Sequence, residues 1–478
     1  MISVITKPMR HQEDALAKLL PIKWGAAFMD MGTGKSLTAI IMAASRQARG
    51  KIDHVIWFTP VSLMDNVRRQ IKEHTGTDEQ VHVFSANTNE LTVPGCFWYV
   101  VGLESMGSSN RTVLTVHKLI TERAMIIIDE SDKIKEHRAK RTKRLTLLAR
   151  LARYRLIMTG TPISQGIVDL YAQMSFLSPK ILGYNSFYSF AANHLEYSDK
   201  YRGMIVNSLN TEAIANKIKP YVYQVTKDQC LDLPDKQYIN RICFLTDEQK
   251  QAYELTKEFY LEMADMMVHS DSEWEKTLWL FRLFASLQQI ASGYINEYGK
   301  KRYFEHKRLE LLQQVISEIA DDESIIIWCK YLHDIQAISQ ALAEDWGRDQ
   351  VCEYHGSLST QARNTNEARF HAGAKFFLAT PSTGGHGLTL VESSYVIFYN
   401  SSFKYSERIQ AEDRAHRIGQ TRKVTYISLW ADCGIEDRIY RALARKKDAR
   451  EEFRDEVELI KEQAENRKNI LKTLIRCL

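Results

Sequence analysis

Short apolar runs rich in β-branched and aromatic residues recur along the chain, separated by stretches whose apolar positions fall at the helical period. A first series comprises His54 to Thr59, Phe97 to Val101, Met125 to Ile128 and Leu156 to Thr159. A second comprises Ile325 to Trp328, Lys375 to Ala379, Tyr395 to Tyr399 and Val424 to Leu429. Strands alternating with helices predict a parallel sheet covered on both faces. Two series therefore predict an α/β protein of two lobes, with sheets in residues of about 20–180 and about 305–435. Between them, Ser178 to Lys301 is aromatic-rich and mostly helical in pattern, as in EQKQAYELTKEFYLEMADMM, and reads as an insertion. Trp274, Trp279 and Phe284 have helical spacing there, which favours insertion core over base-stacking platforms. After Asp432 the charge-laced RALARKKDAREEFRDEVELIKEQ predicts a solvated helical tail. The expected division is 1–178, 179–304, 305–435 and 436–478.

Composition narrows the class only slightly. A length of 478 residues exceeds one ordinary core, and 44% hydrophobic with 26% charged residues is ordinary for globular chains. The 64 basic against 59 acidic residues are too balanced to identify a partner by net charge. Seven cysteines, at 96, 230, 243, 329, 352, 433 and 477, form no C-x-x-C pair and no zinc spacing, and fit a reducing compartment. The start MISVITKPMR lacks an apolar signal core, and no segment has the apolar length to cross a bilayer. A cytoplasmic, nucleoid-associated protein without a membrane partner is expected.

Chemistry enters at MDMGTGKS, Met29 to Ser36, between the apolar Trp24–Phe28 and the helix-like LTAIIMAAS. Strand, Gly-rich loop and helix N-terminus together present backbone N–H groups and the helix dipole to phosphates. Gly32, Thr33 and Gly34 would cradle them, Lys35 would reach the β and γ phosphates, and Ser36 would ligate Mg²⁺. Met29 stands where the strict pattern has its first glycine, so GTGKS alone is also compatible with a turn that binds nothing. MIIIDES adds Asp129 and Glu130 at the end of an apolar run, with Asp129 placed to hold Mg²⁺ and Glu130 to activate water. A lone acidic pair at a strand end is usually a cap; beside GTGKS on a neighbouring strand it becomes a hydrolytic site. In QAEDRAHRIGQ, Gln410 to Gln420, Arg414 and Arg417 lie one helical turn apart, either a solvated helix face or two guanidinium groups for the γ-phosphate.

QAEDRAHRIGQ is similar to the sixth helicase motif of Swi/Snf-like superfamily-two ATPases, and the remaining motifs follow in family order. RHQ with Gln12, MDMGTGKS, FTPVSLMDN, DESDKIK, RLIMTGTPISQG, IIIWCKY, YHGSLS and ATPSTGGHGLTL resemble successive motifs, and YQVTKDQCLDLP with LQQIASGYI resembles family segments of the insertion. Departures are Met29 and Asp30 before the glycines, Val67 for a common tryptophan, Asp132 for the usual histidine, and Gln224 for a common basic residue. The chain is thus identified as a member of this DNA-translocase family, in a minimal form of bacterial or phage type. The resemblance implies two RecA-like lobes and ATP and Mg²⁺ as cofactors. It adds Gln12 as the adenine reader and Gly387, Gln410 and Asp413 to the nucleotide contacts. It also implies hydrolysis where the lobes meet, with Glu130, Lys35, Arg414 and Arg417 catalytic.

The implied partner is double-stranded or branched DNA, with branch migration or fork remodelling as tasks. KIKEHRAKRTKRLTLLARLARYR, Lys133 to Arg155, holds ten basic residues against one acidic, a solvated face or a phosphate-contacting surface. By family analogy Pro60, Ser62, Lys135, Thr161, Lys330, Thr380, Ser382 and Gly384 would contact the DNA backbone. An RNA-directed or strand-separating helicase and a nucleotide-switched scaffold are the competing readings.

Overall fold

In the computed structural model the chain is described over residues 2–163, 166–197, 205–268, 273–297, 300–384, 388–445 and 475–476. It divides into two compact units, Met1–Asp232 and Leu233–Leu478. The first contains β1 (Trp24–Met29), β2 (His54–Thr59), β3 (Val81–Val83), β4 (Trp98–Gly102), β5 (Ala124–Asp129), β6 (Tyr154–Thr159), β7 (Leu195–Tyr197), β8 (Ile205–Ser208) and β9 (Val222–Val225). The second contains β10 (Lys236–Cys243), β11 (Tyr294–Glu297), β12 (Lys300–Tyr303), β13 (Ile325–Trp328), β14 (Val351–Tyr354), β15 (Phe376–Ala379), β16 (Tyr395–Phe398) and β17 (Val424–Ala431).

Each unit is built on one parallel sheet, ordered β3-β4-β2-β5-β6-β1-β9 in the first and β10-β17-β16-β13-β15-β14 in the second. Successive strand residues point to opposite faces, so an unbroken apolar run supplies two cores at once. Ala26, Phe28, Ile56, Phe58, Ile126 and Ile128 enter one core of the first unit; Ala27, Val55, Trp57, Met125 and Ile127 enter the other. Ile325, Ile327, Phe376 and Leu378 are separated from Ile326, Trp328, Phe377 and Ala379 in the same way in the second. Trp57, Trp98 and Trp328 are at most 1% exposed, and their indole N–H groups find no hydrogen-bond acceptor.

The two α/β lobes expected from the sequence are present, but the intervening stretch is not one helical body. The Thr211–Ile218 helix and β9 belong with the first unit, where β9 pairs with β1. Beyond Asp232, β10 joins the second sheet along β17, and the long helices Asp247–Val268 and Glu273–Ala291 follow. The reason is main-chain pairing: β9 and β10 each extend a sheet edge, which ties their segments to different units. Trp279 and Phe284 are buried in a second-unit core, as expected; the Trp274 side chain and tail residues 446–474 lie outside the described residues. The described part of the tail is the Gly434–Ala444 helix and residues 475–476.

Candidate active site

Open parallel sheets bind ligands outside the carboxyl ends of their strands. In the first unit β6 lies between β1 and β5, so the expectation that Asp129 neighbours the phosphate-loop strand directly is corrected by one strand. Register closes the gap: Phe28 pairs with Thr159, and Met158 pairs with Asp129. Three strand ends therefore lie side by side.

The loop after β1 turns into the Lys35–Ala48 helix through Gly32 at φ 78° and Gly34 at φ 81°, left-handed conformations in which a side chain costs free energy. A Cβ on Gly34 would also stand 2.0 Å from Gln12 Nε2. That Nε2 donates to the carbonyls of Thr33 and Gly34, each at 3.2 Å, while Gln12 Oε1 accepts from Met9 N at 2.8 Å. Gln12, 2% exposed, thus braces the loop from behind with both ends of its carboxamide engaged. His11 Nε2 meets the Thr33 carbonyl at 2.8 Å, and Thr33 Oγ1 donates to the Asp30 carbonyl at 2.7 Å. Asp30 accepts from Lys227 N at 3.0 Å, tying the loop to the chain after β9. Lys35 Nζ donates to the carbonyls of Met29 at 2.8 Å and Asp30 at 3.2 Å, which uses two of its three hydrogens. Ser36 follows in the first turn, half-buried.

Across β6, the Asp129 carboxyl is pushed up to about 7 by burial and by the neighbouring Glu130 charge, with Lys35 opposing. Asp132 is also raised, by burial and by Glu130, and its Oδ1 is buried without a hydrogen-bond partner. Asp132 is paired through its other oxygen with Lys133 at 3.1 Å, whereas the raised Asp129 carboxyl beside the Glu130 charge suits a divalent cation. No group of three or more His, Cys, Asp or Glu side chains among the described residues could hold a metal alone. Mg²⁺ is commonly held by one or two protein oxygens with substrate phosphates supplying others, so Asp129 and Ser36 fit that ion. Glu130 has φ 51° and ψ 58°, a left-handed conformation costing roughly 1–3 kcal/mol in a residue with a side chain. Its N–H donates to Asp129 Oδ1 at 3.1 Å.

Sequence reasoning missed Gln173. In the Val168–Leu177 helix it accepts from Ser131 Oγ at 2.7 Å and donates to the Pro162 and Asp169 carbonyls, each at 2.9 Å. Its only sequence signal is a carboxamide in an apolar stretch, YAQMSF.

In the second unit Arg414 and Arg417 were expected on one helix face. The Tyr405–Glu412 helix ends before them; further on the chain turns through Gly419, at φ 102°, and Gln420 Nε2 donates to the carbonyls of Val391, Ser393 and Ala415. They converge nevertheless: Arg414 Nη1 at 3.2 Å and Arg417 Nη1 at 2.9 Å donate to the Leu388 carbonyl. Gln410 and Asp413 are buried beside them; Gly387 lies outside the described residues.

Of the residues expected on DNA, Ser62, Thr161 and Ser382 are exposed, Thr380 is half-buried and Pro60 is buried. Gly384 is buried against Trp328, where a Cβ would stand 2.8 Å from the indole, so packing accounts for this glycine. Lys135 pairs with the buried Asp169 at 3.5 Å. Lys330 donates to Gln288 Oε1 and sits 3.9 Å over the Phe403 ring. The basic run leaves Arg138, Lys140, Lys143, Arg150 and Arg153 exposed, whereas Arg155 is buried and donates to the Leu177 carbonyl at 2.6 Å.

Residues 25–292 match the family described as SNF2-related domain, and residues 307–419 match the helicase conserved C-terminal domain. An uncharacterized ATP-dependent helicase, MG018, of Mycoplasma genitalium is 23% identical over 88% of this chain and 39% of its own length. The ISWI chromatin-remodeling complex ATPase CHR17 of Arabidopsis thaliana is 25% identical over 87% of this chain and 39% of its own. The chain thus spans about two fifths of these relatives. Among solved structures, the SWI2/SNF2 ATPase core of Sulfolobus solfataricus in complex with dsDNA is 22% identical, with a TM-score of 0.44, covering 93% of this chain and 92% of that one.

Proposed function

The chain belongs to the SNF2-related family, and from that premise we propose that it hydrolyses ATP to move along double-stranded DNA. The observation that carries the reading is the phosphate loop with Lys35 beside the strand end bearing Asp129 and Glu130. Lys35 and the loop N–H groups bind the phosphates, and Glu130 takes a proton from the attacking water. Asp129 and Ser36 hold Mg²⁺, which supplies charge neutralisation on the phosphates when bound. In the second unit Arg414 and Arg417, converging on the Leu388 carbonyl, are the candidate cationic groups for hydrolysis. A duplex DNA partner is supported by the exposed basic residues of the Lys133–Arg155 run and by the chromatin-remodeling relatives. Branched DNA is the favoured substrate, because branch migration re-forms base pairs behind the motor and little net pairing energy is lost.

The test compares ATP hydrolysis with linear duplex, four-way junction, single-stranded DNA and RNA, beside displacement of a triplex strand. Duplex-stimulated hydrolysis with triplex displacement is expected, lost in Lys35→Ala and in Glu130→Gln, the latter still binding ATP. Stimulation by RNA alone would make the protein an RNA-directed helicase, and nucleotide binding without turnover would make it a switch.

A further inference from the structure

The Val168–Leu177 helix carries one carboxamide, Gln173, with no exposed surface. Both Nε2 hydrogens are used, on the Pro162 and Asp169 carbonyls, and Oε1 takes the Ser131 hydroxyl. A buried carboxamide is tolerated only when its groups are partnered, and an apolar side chain would fill the space without that demand. Packing therefore does not explain a glutamine here; the groups it joins do. Ser131 directly follows Glu130, which is held in a strained backbone conformation. Pro162 closes the loop after β6, whose Thr161 is exposed. Asp169, on the same helix, holds Lys135 from the turn after Ser131.

We propose that Gln173 is a positioning residue that makes the Glu130–Ser131 turn and the Thr159–Pro162 loop move as one, so that nucleic acid touching the loop sets the position of Glu130. The inference rests on the reading of Glu130 as the water-activating group and names how that group is regulated. A glutamate could not replace Gln173, because an ionised carboxylate only accepts hydrogen bonds and Pro162 and Asp169 need donors.

The test measures ATP hydrolysis with and without linear duplex for wild type, Gln173→Met, Ser131→Ala and the double variant. Gln173→Met keeps the side-chain length without donors or acceptor. It is expected to lower DNA-stimulated kcat about tenfold or more, with KM for ATP within about twofold, collapsing the ratio of stimulated to unstimulated rates. Ser131→Ala should act in the same direction, and the double variant should be no worse than the poorer single one. If Gln173→Met does not fold, Ser131→Ala carries the test. An unchanged ratio in the soluble variants, even at lower Tm, would reduce Gln173 to a packing residue. Hydrogen exchange with ADP is the second readout: wild type should change protection at 130–135 and 159–163 together, and Gln173→Met only at the first. A joint change persisting in Gln173→Met overturns the inference while leaving the hydrolytic reading intact. A wild-type protein that never hydrolyses ATP overturns both.

Discussion

Gly34 combines two constraints that act independently. Its φ of 81° costs a side-chain-bearing residue roughly 1–2 kcal/mol, and its missing Cβ leaves room for Gln12 Nε2. Gly34→Ala should therefore lower Tm by several degrees and raise KM for ATP, because the brace on the Thr33 and Gly34 carbonyls is pushed aside; thermal melts beside steady-state kinetics check both. Unchanged KM would show that Gln12 does not shape the loop. The phosphate loop was legible in the sequence because its groups are contiguous, so spacing alone reports it. Gln173 was not, since it acts across sequence separations of 42 and 11 residues and sits inside an apolar helix. Arg414 and Arg417 were legible as a pair but not in their setting, because the Leu388 carbonyl on which they converge lies 26 and 29 residues away.

At the scale of elements, His371 closes the Thr360–His371 helix against the segment leading to β16. Its Nδ1 lies 2.7 Å from Glu392, and its Nε2 lies 3.8 Å from Glu367 on its own helix. The neighbouring carboxylates of Glu367 and Glu392 raise the imidazole from its ordinary 6.5 to about 9. A raised folded-state value means that the contribution is complete below pH 6.5 and is lost as pH rises towards about 9. Chemical denaturation of wild type should therefore show a stability decline across that window, and His371→Gln should flatten it; equal slopes would remove this group from the linkage. Strands were read well where they are buried on both faces: the expected spans at His54–Thr59 and Ile325–Trp328 coincide with β2 and β13. β10 was missed because it lies at a sheet edge and Tyr238 and Ile242 are exposed, so its sequence shows neither an apolar run nor clean alternation. β9, only four residues long and also at an edge, offers no periodicity to read.

For the whole molecule, two units that each bury both faces of their own sheet should unfold as separate cooperative bodies. Scanning calorimetry of the intact chain is expected to resolve two transitions. ADP should raise the one belonging to Met1–Asp232, by about 2.7 kcal/mol at a hundredfold excess over Kd. A single transition, or an equal shift of both, would contradict that independence. The sheet tryptophans Trp57, Trp98 and Trp328 supply a means of assigning the transitions. Trp57 and Trp98 lie in the first unit and Trp328 in the second, each with an indole that neither water nor a protein acceptor reaches. An indole in such surroundings emits at the blue edge of the fluorescence spectrum and shifts red when its sheet opens to solvent. Each sheet therefore carries its own optical reporter, and the difference between wild type and Trp→Phe at Trp57 and Trp98, or at Trp328, isolates the colour change of that sheet from the signal of the remaining tryptophans.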